Sequence, residues 1–399
     1  MLIADKLKFI KPSPTLEVSK KANILKAEGK NIISLSVGEP DFDTPDNIKD
    51  KAIIAIREGK TKYTNVDGIL ELKKAVAKKF LAENNLHFDL NEIIVGSGAK
   101  QVIYNLFMAS LNPDDEVLIP SPFWVSYPDM VGLCGGSPRI IETTFENKFK
   151  LTCQQLEKNI SNKTKWLILC SPSNPTGVTY SKEELEAFAV VLRKYPHVYV
   201  MSDDIYEHII FDNFIFYTLS QVAPDLKDRI FIINGVSKAY SMTGWRIGYG
   251  AGPKQLIDAM AIIQSQSTSN PCSISQYAAL EALGGAQDFI KTNAAIFQQK
   301  RNLCIQILQQ QADIEIFTPE GSFYLFPSCR KFFNKMTPAK EIIKNDNDFA
   351  KYLLEYAEVA IVPGIAFGSQ GYFRLSYATS FDLLEKACTK IVNACNLLK

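Results

Sequence analysis

The chain has 399 residues, 46% of them hydrophobic, which is enough apolar material for a large core and about two domains. Its formal net charge is +1, from 44 Lys and Arg against 43 Asp and Glu with no basic or acidic block, and this argues against nucleic acid or an anionic membrane as the main partner. No apolar run approaches the roughly 20 residues needed to cross a bilayer, and residues 1–11 carry neither a signal-peptide core nor a transit composition, so the cytoplasm is the expected compartment.

Short apolar, β-rich runs recur between longer helical patterns. The run at 92–95 is followed by Gly96-Ser-Gly98-Ala99-Lys100 and a helical pattern over 100–111. Such a glycine-rich start either cradles a phosphate with its free N–H groups or is a plain tight turn. The run at 116–120 leads into Ser121-Pro-Phe-Trp124, whose tryptophan either stacks on a flat ring or joins the core. After 165–170 comes Ser171-Pro-Ser-Asn174-Pro-Thr-Gly177, where two prolines and a glycine fix a turn that presents the Asn174 amide. A helix over 181–194 opens with Ser181 and Glu184 at capping-box spacing.

The run at 198–202 ends in Asp203-Asp204-Ile-Tyr206. A carboxylate there needs a partner, either a helix N-terminus or a protonated ring nitrogen. The run at 230–233 leads to Ser237-Lys238, with Arg246 eight residues beyond. A sheltered lysine loses its proton near neutral pH and becomes a nucleophile toward aldehydes and a general base. Ser237 and Arg246 add a hydroxyl and a cationic fork, groups that hold phosphate. Taken alone, Lys238 reads first as a surface lysine in a loop, and the case for it depends on what else the chain supplies. From about residue 290 the pattern changes to a polar helix over 291–311 and strand-like pieces at 321–326 and 359–363.

This alternation predicts an α/β fold with a mostly parallel central sheet, helices on both faces, and a smaller α+β domain. The expected division is 41–290 for the larger domain and 1–40 with 291–399 for the smaller. Ligands of open parallel sheets bind beyond the carboxyl ends of the strands, and five such ends carry a polar feature. The eight cysteines form no Cys-x-x-Cys pair, as expected for reduced, mostly buried thiols. His87, His197 and His208 lack ligand spacing, so no metal site and no hydrolase triad is expected. The chemistry then falls to lysine, carboxylate and an organic cofactor, and an aldehyde with a phosphate tail is pyridoxal phosphate.

Segments from near the N-terminus to the last strand carry a family resemblance. They include Ser36-Val-Gly38-Glu-Pro-Asp-Phe, Lys60-Thr-Lys-Tyr63, Phe123-Trp124-Val-Ser-Tyr, Ser173-Asn174-Pro-Thr-Gly177, Ser237-Lys238 through Gly-Trp-Arg246, and Phe373-Arg374-Leu-Ser-Tyr. On these the chain resembles the fold-type I, class I pyridoxal phosphate-dependent aminotransferases, and among them the bacterial aspartate aminotransferases of the Thermus and rickettsial type. The resemblance implies that Lys238 binds the cofactor aldehyde covalently and that Asp203 pairs with the ring nitrogen. Asn174 and Tyr206 would hydrogen-bond the ring oxygen, and Trp124 would stack on the ring. Ala99 and Lys100 backbone, Ser237 and Arg246 would hold the phosphate, with Tyr63 reaching in from the second subunit of a homodimer. Ala99 stands where relatives often have glycine, a departure of one methyl group.

By the same resemblance Arg374 clamps the substrate α-carboxylate, and Gly38 lets the backbone approach it. Residues 264–270 lack the arginine that other branches use for a distal carboxylate; Lys100 and Thr15 match the groups that serve it in the Thermus-type branch. Lys11 matches a basic position that goes with acceptance of prephenate, or is a solvated lysine before a proline. Aspartate with 2-oxoglutarate is the expected substrate pair. Prephenate or aromatic transamination and a β-lyase outcome are the rivals on the same scaffold. A non-catalytic cofactor sensor would need an appended DNA-binding segment, for which neither end is expected to have room.

Overall fold

The computed structural model describes residues 2–10 and 14–399. The strands in chain order are β1 (Ile33–Ser34), β2 (Ile93–Gly96), β3 (Glu116–Ser121), β4 (Ser137–Glu142), β5 (Thr164–Cys170) and β6 (Tyr199–Asp203). They continue with β7 (Ile230–Gly235), β8 (Gly248–Ala251), β9 (Tyr324–Leu325), β10 (Val359–Ala360), β11 (Val362–Pro363) and β12 (Phe373–Ser376). A seven-stranded sheet has the order β2-β8-β7-β6-β5-β3-β4. All its pairings are parallel except those of β8, which runs against both β2 and β7. The carboxyl ends of β2, β3, β5, β6 and β7 therefore lie along one edge.

Except at edge strand β4, the sheet is buried on both faces, and its strands alternate between two cores. Ile230 and Ile232 face one cluster with Val200 and Leu167, under helices Asp46–Arg57, Leu70–Asn84, Lys182–Lys194 and Ser273–Gly284. Phe231 and Ile233 face the other with Met201 and Ile168, under helices Ala99–Ser110 and Lys254–Ser267. Each such side chain, fully buried, contributes roughly 1.5–3 kcal/mol. The expected helix over 181–194 forms as Lys182–Lys194, with Ser181 and Glu184 making the reciprocal capping box.

A further core joins Ile33 and Leu35 to Phe297, Leu353, Leu375 and Ile391. It lies among helices Asp288–Leu308, Asp346–Tyr356 and Phe381–Asn396 and two small sheets, β1-β10 and β11-β12-β9. The polar helix expected over 291–311 begins earlier, at Asp288, and the strand-like piece at 321–326 is regular only over Tyr324–Leu325. Among the described residues no helix is long and apolar enough to cross a membrane.

Candidate active site

The strand ends at the carboxyl edge, residues of β9 and β12, and the segment around Gly38 enclose a cleft of about 500 Å3. Thr15, Gly38, Ala99, Lys100, Trp124, Asn174, Asp203, Tyr206, Ser237, Lys238, Arg246 and Arg374 all line it. Of the residues singled out in the sequence, Tyr63 does not; its side chain is 90% exposed. Lys11 lies outside the described residues.

The loop after β2 turns at Gly98 with φ 87°, and helix Ala99–Ser110 starts there without a side-chain cap. A Cβ on Gly98 would come within 2.3 Å of Arg246 Nη2. Glycine thus lets the guanidinium lie against a helix N-terminus, and the two together form a site for an anion. Arg246 itself holds a left-handed backbone, φ 57°, and donates to Thr243 O at 2.9 Å. Lys100 Nζ lies 4.8 Å from the centre of the Trp124 ring. Burial first, and the nearby Arg246 charge second, lower the Lys100 pKa.

After β7, Lys238 Nζ donates to Gly38 O at 2.7 Å. Burial brings its pKa from 10.5 down to about 8; Arg374 and Arg246 push the same way, while Glu39 and Asp203 resist. The lysine is therefore partly neutral near physiological pH. At the end of β6, Asp203 accepts from the Tyr127 hydroxyl. Burial raises its pKa to about 6, and the Tyr127 bond, the Ile205 amide and the Lys238 charge keep it from rising further.

Arg374, on β12, is 2% exposed. Its Nη1 donates to Asn174 Oδ1 at 2.9 Å and its Nη2 to Ser36 O at 2.6 Å. Its Nε is buried without a hydrogen-bond partner. Among the described residues Arg374 forms no ion pair, and a buried guanidinium lacking a counter-charge is costly unless an anion joins it. Because Asn174 Oδ1 is taken by Arg374, the amide nitrogen of Asn174 remains as a donor toward the cleft.

The cleft thus holds a poised amine, a helix N-terminus with an arginine and a serine, a buried carboxylate and an indole. These groups fit, respectively, the aldehyde, phosphate, ring nitrogen and ring face of pyridoxal phosphate. Sequence reasoning missed Tyr127 and Tyr324, which also line the cleft. Tyr324 and Tyr206 share a hydrogen bond of 2.9 Å between their hydroxyls. The close packing of Tyr324 accounts for Gly38, where a Cβ would come within 2.4 Å of the Tyr324 hydroxyl.

Residues 30–391 match the family described as aminotransferase class I and II. The chain is 63% identical over 397 residues to a probable aspartate/prephenate aminotransferase of Rickettsia prowazekii, with all of both chains covered. Its fold is similar to that of the aspartate aminotransferase of Rhizobium meliloti, with a TM-score of 0.97, 48% identity and all of both chains covered. It is also similar to the Thermus thermophilus aspartate aminotransferase solved with maleate, at TM-score 0.92 and 39% identity, covering 99% of this chain and 100% of that one. The chain belongs to the class I and II aminotransferases, as an enzyme that moves amino groups between amino acids and 2-oxo acids with pyridoxal phosphate as its cofactor.

Proposed function

We propose that the enzyme transfers the amino group of L-aspartate to 2-oxoglutarate, giving oxaloacetate and L-glutamate in two half-reactions at one site. The observation that carries this reading is the buried guanidinium of Arg374, with an unpartnered Nε, in the same cleft as the depressed-pKa amine of Lys238. Arg374 binds the α-carboxylate. Lys100 and Thr15, from other walls of the cleft, serve the distal carboxylate. The names of the Rickettsia and Thermus relatives support a dicarboxylate, since one includes aspartate and the other was solved with maleate.

When bound, the cofactor supplies an aldehyde that condenses with amines and a ring that takes up the electron pair left by a departing Cα proton. Lys238 would anchor it, and the freed Nζ would take the proton from substrate Cα and return it to the former aldehyde carbon on the other side of the amino nitrogen. A tethered amine beside both carbons does this without diffusion. Asp203 keeps a proton on the ring nitrogen. Asn174 Nδ2 and the Tyr206 hydroxyl hold the ring oxygen, and Trp124 covers the ring face. Ala99 and Lys100 amides, Ser237 and Arg246 hold the phosphate. A half-reaction screen that follows the change in cofactor absorbance with each amino acid tests the reading. Aspartate and glutamate should react fastest; a preference for neutral amino acids would overturn it.

Prephenate is the second acceptor we propose, on the strength of the Rickettsia relative's name, with Lys11 assigned to it. Eight free cysteines support a cytoplasmic setting. The division into 41–290 and 1–40 with 291–399 is supported by one core running from Ile48 to Ala282 and another made mostly of Ile33, Leu35 and residues from Phe297 onward, which also takes in Tyr206, Ile209 and Phe211 where the two parts meet.

The charge at Lys100 predicts a specificity effect. A charged hydrogen bond contributes about 1.5–3 kcal/mol, roughly ten- to a hundredfold. Lys100→Ser should lower kcat/KM for aspartate and 2-oxoglutarate by about that factor and affect alanine or phenylalanine much less. Equal losses for acidic and neutral substrates would assign Lys100 to the cofactor alone.

The exposed Tyr63 supports a symmetric homodimer in which each tyrosine serves the cleft of the other copy. Tyr63→Ala and Lys238→Ala chains, each inactive alone, should recover activity when mixed, because one site of a hybrid dimer is intact. Random exchange should give about a quarter of wild-type activity, since half the dimers are hybrids with one working site. No recovery after verified exchange would rule out the shared site.

A further inference from the structure

Tyr127 lies in helix Ser126–Leu133, directly after Trp124, and is 1% exposed. Its hydroxyl donates to Asp203 Oδ2. Its ring meets the Trp124 ring edge-on, with centroids 5.2 Å apart at 84°. One side chain therefore contacts both the carboxylate at the floor of the cleft and the indole on its wall.

The rest of the Asp203 environment is sparse. Oδ1 accepts a long bond from the Ile205 amide, 3.4 Å. Among the described residues, the titratable groups that face Asp203 are Tyr127, Cys170 and Lys238. Adjacent Asp204 is held elsewhere, its Oδ1 accepting from Ser202 Oγ at 2.7 Å. Burial raises the pKa of both the Tyr127 phenol and the Cys170 thiol, so both stay protonated through the working pH range. Of these facing groups, Lys238 alone changes charge there, and its charge is spent when it anchors the cofactor. The Tyr127 hydroxyl is then the strongest remaining donor that favours the Asp203 anion.

We propose that Tyr127 is a positioning residue for Asp203, its phenol holding the carboxylate as an oriented anion so that the proton shared with the cofactor's ring nitrogen stays on the ring. The proposal rests on the reading that Asp203 faces that nitrogen. Without the phenol, Asp203 becomes the stronger base, draws the shared proton to itself, and the ring loses the charge that makes it an electron sink. The ring of Tyr127 has a separate task, bracing Trp124.

The test titrates the Asp203 carboxyl in the cofactor-free protein by difference infrared spectroscopy, with Asp203→Asn identifying the band. Tyr127→Phe should move this titration upward by about one pH unit, the effect of one hydrogen bond to a charged group. It should also lower kcat by about tenfold with the KM for aspartate nearly unchanged. Because phenylalanine keeps the edge contact with Trp124, affinity for pyridoxal phosphate should fall further in Tyr127→Leu than in Tyr127→Phe. Difluorotyrosine at position 127, a stronger donor in a nearly unchanged shape, should shift the titration down, and this probe serves should Tyr127→Phe fold poorly. A titration unmoved by either change overturns the proposal. An Asp203→Asn enzyme that keeps its rate overturns the assignment of Asp203 itself. Loss of rate in Asp203→Asn with an unmoved Tyr127→Phe titration overturns the role of Tyr127 alone.

Discussion

Lys238→Ala should lose multiple turnover entirely and still take up pyridoxal phosphate without a covalent link. The helix N-terminus at Ala99, Ser237, Arg246, Asp203 and Trp124 are untouched by the change; all line the cleft, and on the proposed reading they would supply the contacts to phosphate, ring nitrogen and ring face. What disappears is the amine proposed to bind the aldehyde and carry the Cα proton. Proton transfer by a positioned group alone contributes about 10²–10⁴-fold, and slow release of product without an internal amine adds to the loss. The wild-type protein offers a companion measurement. Lys238 reacts as the neutral amine, and its pKa is depressed to about 8. Covalent capture of the cofactor by the cofactor-free enzyme should therefore speed up as pH rises through about 8, well below the value near 10.4 of an ordinary lysine. Substantial turnover by Lys238→Ala without added amines would refute the assignment of that lysine.

The residues that set this chemistry were legible because each sits where a strongly apolar run stops. Val95, Cys170, Ser202 and Ile233 end or nearly end runs of mostly buried apolar side chains, and a polar or glycine-containing segment follows each. Two strands of the large sheet gave no such signal. β4 is an edge strand with mostly exposed side chains, so its Ser-Pro-Arg start has no apolar alternation. β8 reads Gly-Tyr-Gly-Ala because its neighbours crowd it: a Cβ at Gly248 would meet Ala99 N at 2.1 Å, and one at Gly250 would meet Phe231 at 2.5 Å. Close packing removed the β-branched residues that mark a strand, and with them the warning that the sheet contains an antiparallel member.

The supporting side chains were illegible for a different reason, since they matter only through contacts distant in sequence. Tyr127 reaches Asp203 across 76 positions, and Tyr324 reaches Tyr206 across 118. Glu207, beside Tyr206, accepts from Lys79, Asn84 and Asn234. Burial pushes the Glu207 carboxyl up, yet the Lys79 and His208 charges and the hydrogen bonds from Lys79 and Asn84 more than offset it and leave its pKa at about 2. The buried pair ties helix Leu70–Asn84 to the turn after β6 and to the end of β7, the two segments that carry Asp203 and Lys238. Glu83 and His208 stand close by, but the Lys79 ammonium lies against both carboxylates and fills the place a cation would take. A sequence can show a lysine and a glutamate 128 positions apart, but nothing in it says that they meet.

Asp203→Asn should bind the cofactor and lose roughly 10²–10³ in the rate of the aspartate half-reaction, about 2.7–4 kcal/mol, the scale of removing one aimed electrostatic stabiliser. The amide is nearly isosteric, so neither the turn after β6 nor the contact with Tyr127 need collapse; the phenol can donate to the amide oxygen. The charge is what goes. A carboxylate stabilises a proton on the facing ring nitrogen, whereas an amide offers at most a neutral hydrogen bond and can present its own N–H in place of an acceptor. The protein bears the cost of a fully buried carboxylate here, raising the Asp203 pKa to about 6, and among the described residues no cation is bonded to it. Such an expense has no return in stability and is explained by a ligand that brings the positive charge. The effect should fall on kcat, with KM for aspartate changed little, because Arg374 and Asn174, the groups proposed to receive the substrate, are unchanged. A loss smaller than threefold in the half-reaction would mean that the ring nitrogen does not face Asp203, and the carboxylate would then need another reason to be buried at the floor of this cleft.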